Sequence, residues 1–194
     1  MRLSALMVAA LCVAGPVQAG GPVEQIVEPA VEPAATVMAE RSWTGFYAGV
    51  SAVSGTFDNG LTDFGTSGFG VQAGYLRDLG TLVIGGELAY SRGDFGNDAP
   101  TADWDAIRLK LIGGYDAGRF LPYAFVGMTR FDVNQAPTVS DTMPNYGLGV
   151  RVAMGSSGKI VLGLEYLVES KDNFGNSGSD VKYDELSLRL DYRF

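Results

Sequence analysis

Histidine is absent from the 194 residues, and its absence excludes many enzyme classes. Without an imidazole there is no Ser-His-Asp triad, no Cys-His pair and no His-liganded zinc. The commonest general base of enzymes is missing as well. We therefore expect no catalytic residue, no metal site and no cofactor, and we interpret the chain as non-enzymatic.

Cysteine and basic residues are also scarce. Cys12 is the single cysteine, so a disulfide framework cannot form. Lys and Arg number 14 against 22 Asp and Glu, a formal charge of −8, whereas a nucleic-acid partner requires a basic surface. Hydrophobic residues make up 46% of the chain, which excludes general disorder. This composition predicts one folded domain that binds no nucleic acid.

The first 19 residues have the pattern of an export signal. Arg2 supplies a positive charge, and the apolar run that follows it is too short to span a membrane before Pro16 ends it. Compact residues before the cut predict cleavage after Ala19. We therefore predict a signal peptide over residues 1–19 and export of the remainder.

Residues 20–42 are rich in proline and glutamate and show no hydrophobic period. The tripeptide Val-Glu-Pro occurs at 27–29 and again at 31–33. Such a composition predicts an extended periplasmic linker that resembles polyproline. Two roles stay open for it, a plain spacer and a binding segment for a periplasmic partner.

From residue 43 onward, apolar residues alternate with polar or small ones. A run of about 18 apolar residues, the length of a membrane-spanning helix, does not occur there. Eight runs of period two predict eight strands instead. The last run is the clearest, because Leu186, Leu188 and Leu190 alternate with charged or polar residues. The fifth run, Phe120 to Arg130, is apolar on both phases, and its register stays open.

The predicted connections alternate strictly in length. Four long ones cover 55–66, 93–103, 131–144 and 171–182, and three short ones cover 77–80, 116–119 and 155–159. In an up-and-down barrel this alternation places all long loops at one end and all short turns, with both termini, at the other.

Glycine on the polar phase indicates which face meets lipid. Gly70, Gly74, Gly85, Gly114 and Gly149 lie there, and glycine would only weaken a strand on a water-facing exterior. The narrow lumen of eight strands, however, requires small residues and a few paired charges. We therefore predict an all-β protein, an eight-stranded antiparallel up-and-down transmembrane β-barrel over residues 43–194, with the apolar phase outward.

Aromatic residues agree with this orientation. Six of them share the apolar phase near the strand ends and predict two interfacial girdles: Tyr75, Tyr115, Tyr192 and Phe194 at the terminal end, and Tyr90 and Tyr146 at the other. Trp104 lies off this phase, and we assign it to a loop.

Charged residues on the lumen phase form the one chemical constellation of the sequence. They are Glu87, Arg108, Lys110, Arg151, Glu165 and Arg189. Antiparallel pairing places Glu87 level with Arg108 or Lys110. It also places Arg151 level with Glu165, with Arg189 beside them. Two interpretations stay open: an ion network that fills the lumen, and a gate or selectivity plug.

Three segments resemble the eight-stranded outer-membrane barrels of bacteria: residues 43–50 (WTGFYAGV), 85–90 (GGELAY) and 190–194 (LDYRF). The similarity covers residues 43–194 and is greatest to the porin-like surface proteins of alphaproteobacteria, which share the architecture of the OmpA membrane domain. This resemblance implies that Tyr192 and Phe194 form an assembly signal read by the barrel-assembly machinery. It also implies a charged lumen that blocks water flow.

The predicted function is that of a non-enzymatic outer-membrane barrel with a structural or surface-interaction role through long extracellular loops. Its expected partners are outer-membrane lipid and lipopolysaccharide, the barrel-assembly machinery, and a host or surface ligand at the loops. The alternative is a narrow, gated, porin-like channel for small solutes.

Overall fold

Eight antiparallel strands form a closed barrel in the computed structural model, which describes residues 42–58, 60, 62–96, 103–134, 139–172 and 180–194. The strands are β1 (Gly45–Asp58), β2 (Asp63–Asp78), β3 (Leu82–Phe95), β4 (Asp103–Tyr115), β5 (Phe120–Asn134), β6 (Val139–Met154), β7 (Ile160–Lys171) and β8 (Val181–Arg193). Each strand pairs with the next, and β8 closes on β1 with Leu190 opposite Val50. The predicted fold class is confirmed.

The predicted signal peptide over 1–19, with cleavage after Ala19, and the predicted linker up to residue 41 lie outside the described residues. No helix among the described residues is long and apolar enough to cross a membrane.

The apolar phase of every strand faces outward. Leu111, Leu148 and Leu188 are each more than 60% exposed, while charged residues of the other phase are buried. A continuous apolar exterior is stable in hydrocarbon, where the closed sheet also satisfies the backbone hydrogen bonds. The fifth strand follows the same rule, with Val126 outward and Phe125 in the lumen. Its sequence was ambiguous because aromatic rings fill the lumen at that point.

Two of the four predicted long loops are wrong, because the strands continue into them. β1 and β2 are joined by residues 59–62, and β5 and β6 by residues 135–138, so neither connection exceeds the turn at 116–119. The outward side chains of these strand ends are polar, as at Ser54, Thr56 and Asp58. The apolar alternation therefore stops while the hydrogen-bonded ladder continues. The barrel thus extends beyond its apolar band at the end away from the termini, and we call this part the outer extension.

Trp104 is a further correction, because it belongs to β4 and not to a loop. Its side chain is buried in the lumen of the outer extension. The six aromatic residues predicted as girdles all lie on the outer face. Phe46 and Tyr75 pack together there, with 4.8 Å between ring centroids.

Two of the three turns at the terminal end share an Asp-x-Gly design. The Asp78 carboxylate accepts the Gly80 N–H at 2.8 Å, and the Asp116 carboxylate accepts the Gly118 N–H at 2.7 Å. Both glycines have positive φ, of 100° and 74°, a conformation that side chains disfavour. These turns return the chain directly and keep this end of the barrel short.

Candidate functional site

Side chains fill the lumen in three layers along its length. At the terminal end the buried residues are mainly apolar, among them Trp43, Leu76, Val83, Leu121 and Val161. Nine buried charged residues occupy the centre, five acidic and four basic: Glu87, Glu165, Glu169, Glu185, Asp191, Arg108, Lys110, Arg151 and Arg189. Aromatic rings fill the lumen of the outer extension.

Glu87 on β3 is the centre of the first ion network. Its Oε2 lies 2.9 Å from Nη2 of Arg151 and accepts the Tyr47 hydroxyl at 2.7 Å. Arg189 donates to both carboxylate oxygens, at 3.0 Å to Oε1 and also to Oε2. The Lys110 ammonium lies 3.4 Å from Oε1. A buried carboxylate needs this many donors, because its desolvation costs several kcal/mol.

Glu165 on β7 is the second carboxylate of this network. It accepts Arg189 Nη1 at 2.8 Å and the Tyr123 hydroxyl at 2.7 Å, and it also binds the Lys110 ammonium. Arg189 and Lys110 therefore each contact both Glu87 and Glu165. Asp191 extends the network toward the termini, where it accepts Gln72 Nε2 at 2.7 Å.

Glycines on the lumen wall make room for the two tyrosines. A Cβ at Gly74 would meet the Tyr47 phenol, and a Cβ at Gly149 would meet the Tyr123 ring. Each ring therefore lies over the wall of the neighbouring strand, and its hydroxyl reaches a central carboxylate. The guanidinium of Arg151 stacks between both rings, 4.5 Å from Tyr47 and 4.9 Å from Tyr123.

Arg108 organises a second ion network, nearer the outer extension. Its Nε lies 2.8 Å from Glu169, its Nη2 3.2 Å from Glu185, and its Nη1 donates to Ser91. Glu169 also accepts the Thr129 hydroxyl. Glu185 accepts the Tyr183 hydroxyl at 2.9 Å, which links this network to the aromatic layer.

All six charged residues predicted for the lumen are buried there, but their pairing differs in part from the expectation. Lys110, and not Arg108, is the partner of Glu87. Arg189 contacts Glu165. The expected Arg151–Glu165 pair does not occur among the ion pairs of the described residues, and Arg151 binds Glu87 instead.

Sequence reasoning missed three of the acidic residues and the tyrosines that complete the networks. Glu169, Glu185 and Asp191 share the lumen phase of β7 and β8, so the period-two pattern contained the signal. Tyr47 and Tyr123 share it on β1 and β5, where Tyr123 stood in the run of open register.

A small polar cavity lies between the two networks. It has a volume of about 20 Å³ and is lined by residues of both, including Glu87, Ser91, Arg108 and Glu185. This volume holds about one water molecule, and the polar lining supplies the hydrogen-bond partners that such a water requires.

Aromatic side chains close the lumen of the outer extension. Trp104 and Phe131 stack, with 5.7 Å between the ring centroids and an angle of 8° between the ring planes. Phe57 also stacks with Phe131, with 5.8 Å between ring centroids, and Phe95 meets Phe57 edge to face. Tyr183 contacts both Trp104 and Phe131. These five rings form a continuous apolar layer above the second ion network.

Trp43, which precedes β1, closes the terminal end. Its side chain is buried, and the Arg193 guanidinium covers its ring at 5.0 Å. Its backbone N–H donates to the Asp78 carboxylate at 2.9 Å. The chain is thus fixed to the barrel mouth before the first strand begins.

The chemistry of this lumen is that of a packed polar core. Within the described part of the chain, no group of three or more acidic or thiol side chains is placed to hold a metal ion. Every cation of the two networks contacts at least two acceptors. The arrangement can join the barrel walls together, and it leaves space for about one water molecule between the networks.

A family model described as the outer membrane protein beta-barrel domain matches residues 31–194. Among solved structures, the chain is similar to Neisserial surface protein A (NspA), with a TM-score of 0.60 and 19% identity over 78% of this chain and 98% of that one. It is also similar to Ail, the attachment invasion locus protein of Yersinia pestis, with a TM-score of 0.57 and 17% identity over 78% and 99%. Another structure of Ail contains the heparin analogue sucrose octasulfate (TM-score 0.50, 16% identity, 77% and 99% covered). No curated protein sequence matches the chain.

Proposed function

The chain belongs to the outer membrane protein β-barrel domain family of the bacterial outer membrane, and we propose that it is a non-conducting, non-enzymatic member with a structural or surface-interaction role. In this proposal, the barrel anchors the outer extension in the membrane and presents it to the surroundings of the cell. The expected partners in the membrane are its lipid and lipopolysaccharide, and the barrel-assembly machinery inserts the protein.

The filled lumen is the observation that carries this proposal. Two ion networks and the aromatic layer occupy it in succession, and Trp43 closes the terminal end. Eight strands enclose a space just wide enough for side chains, whereas aqueous porins use about 16–18 strands. A solute path would require breaking several buried ion pairs, each of which costs several kcal/mol to separate.

We place the termini on the periplasmic side. The connections at that end are confined to 79–81, 116–119 and 155–159, and short periplasmic turns are the rule for such barrels. The proposal includes export through a signal peptide cleaved after Ala19. The outer extension then faces the exterior, together with the connections at 96–102 and 172–180.

The outer extension is acidic, and its charge indicates the class of surface partner. Seven outward-facing aspartates stand against three basic residues: Asp58, Asp63, Asp94, Asp103, Asp105, Asp132 and Asp184 against Arg92, Arg130 and Lys182. A surface of this sign repels polyanions and attracts cations. The proposed partner is therefore a positively charged surface or protein, unlike the sulfated heparin analogue held by Ail.

Planar-bilayer recording of the purified protein tests the closed lumen. We expect at most rare, small openings, with a trimeric porin in the same membrane as the positive control. Steady conductance, or sugar flux into liposomes, would contradict the proposal and favour the narrow-channel alternative.

A deletion strain tests the surface role. Loss of adhesion or envelope integrity should be restored by the wild-type chain. A variant with Asp94, Asp103 and Asp105 changed to Asn should not restore adhesion, although it assembles at the same level. Equal complementation by both chains would reject the outer extension as the interaction surface.

A further inference from the structure

The outer face of the barrel carries a groove near the terminal end. Its volume is about 500 Å³, and it runs across β3 to β6. The lining side chains include Leu82, Tyr115, Pro122, Ala124 and Leu148. The groove therefore begins at the aromatic girdle residue Tyr115 and continues into the apolar band.

The groove exists because two small residues oppose each other on neighbouring strands. Gly113 on β4 pairs with Ala124 on β5, and Ile84 and Leu148 flank them in the same row. A Cβ at Gly113 would meet no heavy atom within 4 Å. The glycines of the lumen differ, because at Gly74 or Gly149 a Cβ would collide with a tyrosine. Packing within the protein therefore does not explain the missing side chain at position 113.

We infer that this groove binds one acyl chain of a phospholipid in the leaflet at the terminal end, with the lipid phosphate at Arg119. The groove opens onto the lipid-facing surface, so hydrocarbon is the medium that fills it. If the groove were unfilled, the side chains that line it would lose dispersion contacts on their exposed side. An acyl chain that fits the groove restores those contacts. Because lipid tails are as apolar as leucine, shape and the headgroup contact must provide the preference for this position.

Arg119 provides a positive charge at the end of the barrel where the lipid phosphate would lie. It lies in the turn 116–119, which joins the strand of Tyr115 to that of Pro122. Its side chain is exposed and reaches the Gly155 carbonyl of the next turn at 3.4 Å. A guanidinium binds phosphate through paired hydrogen bonds, and Arg119 follows the interfacial Tyr115 by four residues in the chain. With the orientation proposed above, this leaflet is the periplasmic one.

Photo-crosslinking in lipid nanodiscs tests the inference on the full-length chain. The probe is a phospholipid with a diazirine on one acyl chain, present in both leaflets, so the result does not depend on orientation or on any surface role. Crosslinks mapped by mass spectrometry should concentrate on Ala124 and Leu148. Gly113→Leu should lower them by about threefold or more.

Gly86→Leu is the matched control. Gly86 is also an outward glycine whose Cβ would meet only the Lys110 carbonyl, at 3.8 Å, and it does not line the groove. The Gly86→Leu variant should leave the labelling of the groove unchanged. The comparison is made on folded protein, identified by its heat-modifiable mobility. Ala124→Leu should reproduce the effect of Gly113→Leu from the opposite wall. Arg119→Gln should lower labelling by a similar factor.

Three outcomes would overturn the inference. The first is labelling spread evenly over the apolar band. The second is labelling of the groove that Gly113→Leu leaves unchanged. The third is an unlabelled groove in a protein that is dimeric in the nanodisc, with the dimer detected by native mass spectrometry. Loss of labelling in Gly113→Leu with no change in Arg119→Gln would overturn the headgroup assignment alone.

Discussion

Arg189 and Glu87 form a two-pronged ion pair across the lumen, from β8 and β3, which are not neighbours in the sheet. Arg189 Nη1 lies 3.0 Å from Glu87 Oε1, and Nη2 contacts Oε2. Two parallel hydrogen bonds between a guanidinium and a carboxylate form a strong ion pair with a defined geometry. Because both groups are buried, the pair connects distant walls of the barrel.

Glu87→Ala should destabilise the barrel by about 3–5 kcal/mol, because Arg151 and Arg189 would stay buried without their main acceptor. Urea unfolding in lipid vesicles measures this. A double-mutant cycle with Arg189→Ala should give a coupling of about 0.5–3 kcal/mol. The cycle for Arg151 and Glu165, which form no direct ion pair, serves as the control and should give less. Additive effects of Glu87→Ala and Arg189→Ala would contradict the network.

Gly74→Ala should destabilise the barrel by about 1–3 kcal/mol, because the new methyl group would overpack the lumen. Its Cβ would lie 2.6 Å from Cζ of Tyr47. Gly113→Ala is the control, since its Cβ meets open space, and it should change stability by no more than about 0.5 kcal/mol. Unfolding midpoints of the two variants decide the matter, and equal values would show that the lumen wall tolerates a side chain beside Tyr47.

Trp104→Ala should cost about 3–5 kcal/mol, because it removes the largest ring of the aromatic layer and leaves a cavity. It should not open a pore, since the Arg108 network closes the lumen directly beneath. Tyr90→Ala, on the lipid face, is the control and should cost less. Thermal or urea unfolding gives the stability, and bilayer recording gives the conductance. Steady openings in Trp104→Ala would identify the aromatic layer as the sole barrier.

Phe194→Ala should lower the amount of folded protein in the outer membrane, without an equal loss of stability. Phe194 is 75% exposed, so its truncation removes little packing beyond the edge-to-face contact with Tyr192. Assembly in cells is measured by heat-modifiable mobility on unboiled gels, and intrinsic folding by refolding into vesicles. Phe46→Ala, another outward aromatic at the same end, is the control. If Phe194→Ala lowered refolding into vesicles as much as it lowered the amount of folded protein in cells, Phe194 would act through stability and not as an assembly signal.

Asp94→Asn should stabilise the outer extension by about 0.2–1 kcal/mol at low salt, because Asp94 and Asp103 face each other directly across β3 and β4. The gain should shrink as salt screens the repulsion. Arg92→Gln is the control of opposite sign, since Arg92 faces Asp105 and should contribute favourably. A stabilisation by Asp94→Asn that did not depend on salt would exclude charge repulsion as its cause.

The sequence alone determined the number of strands, the outward direction of the apolar face and, on every strand but the fifth, which residues face the lumen. These properties are local, because a side chain's face is set by its position in a period of two. Leu186, Leu188 and Leu190 on one phase and Arg189 on the other required no knowledge of any partner strand. The same rule would have found Glu169 and Glu185.

The period-two pattern of the sequence did not reveal the lengths of the strands. Above the apolar band, the outward side chains are polar and the inward ones aromatic, so the contrast that marks a membrane strand is reversed. Trp104 and Phe131 therefore suggested loops, although they lie in the ladder between β4 and β5. The strand continues there because the inward rings pack on each other and not because the exterior is apolar.

Only the closed barrel decided which charges meet. Arg108 and Lys110 have the same phase on one strand, yet Arg108 binds Glu169 and Glu185 on β7 and β8, while Lys110 reaches Glu87 and Glu165. The groove at Gly113 and Ala124 likewise depends on the register of two strands. Contacts across the lumen depend on the tilt and stagger with which eight strands close. That stagger arises from all eight pairings together, and no single segment of the sequence encodes it.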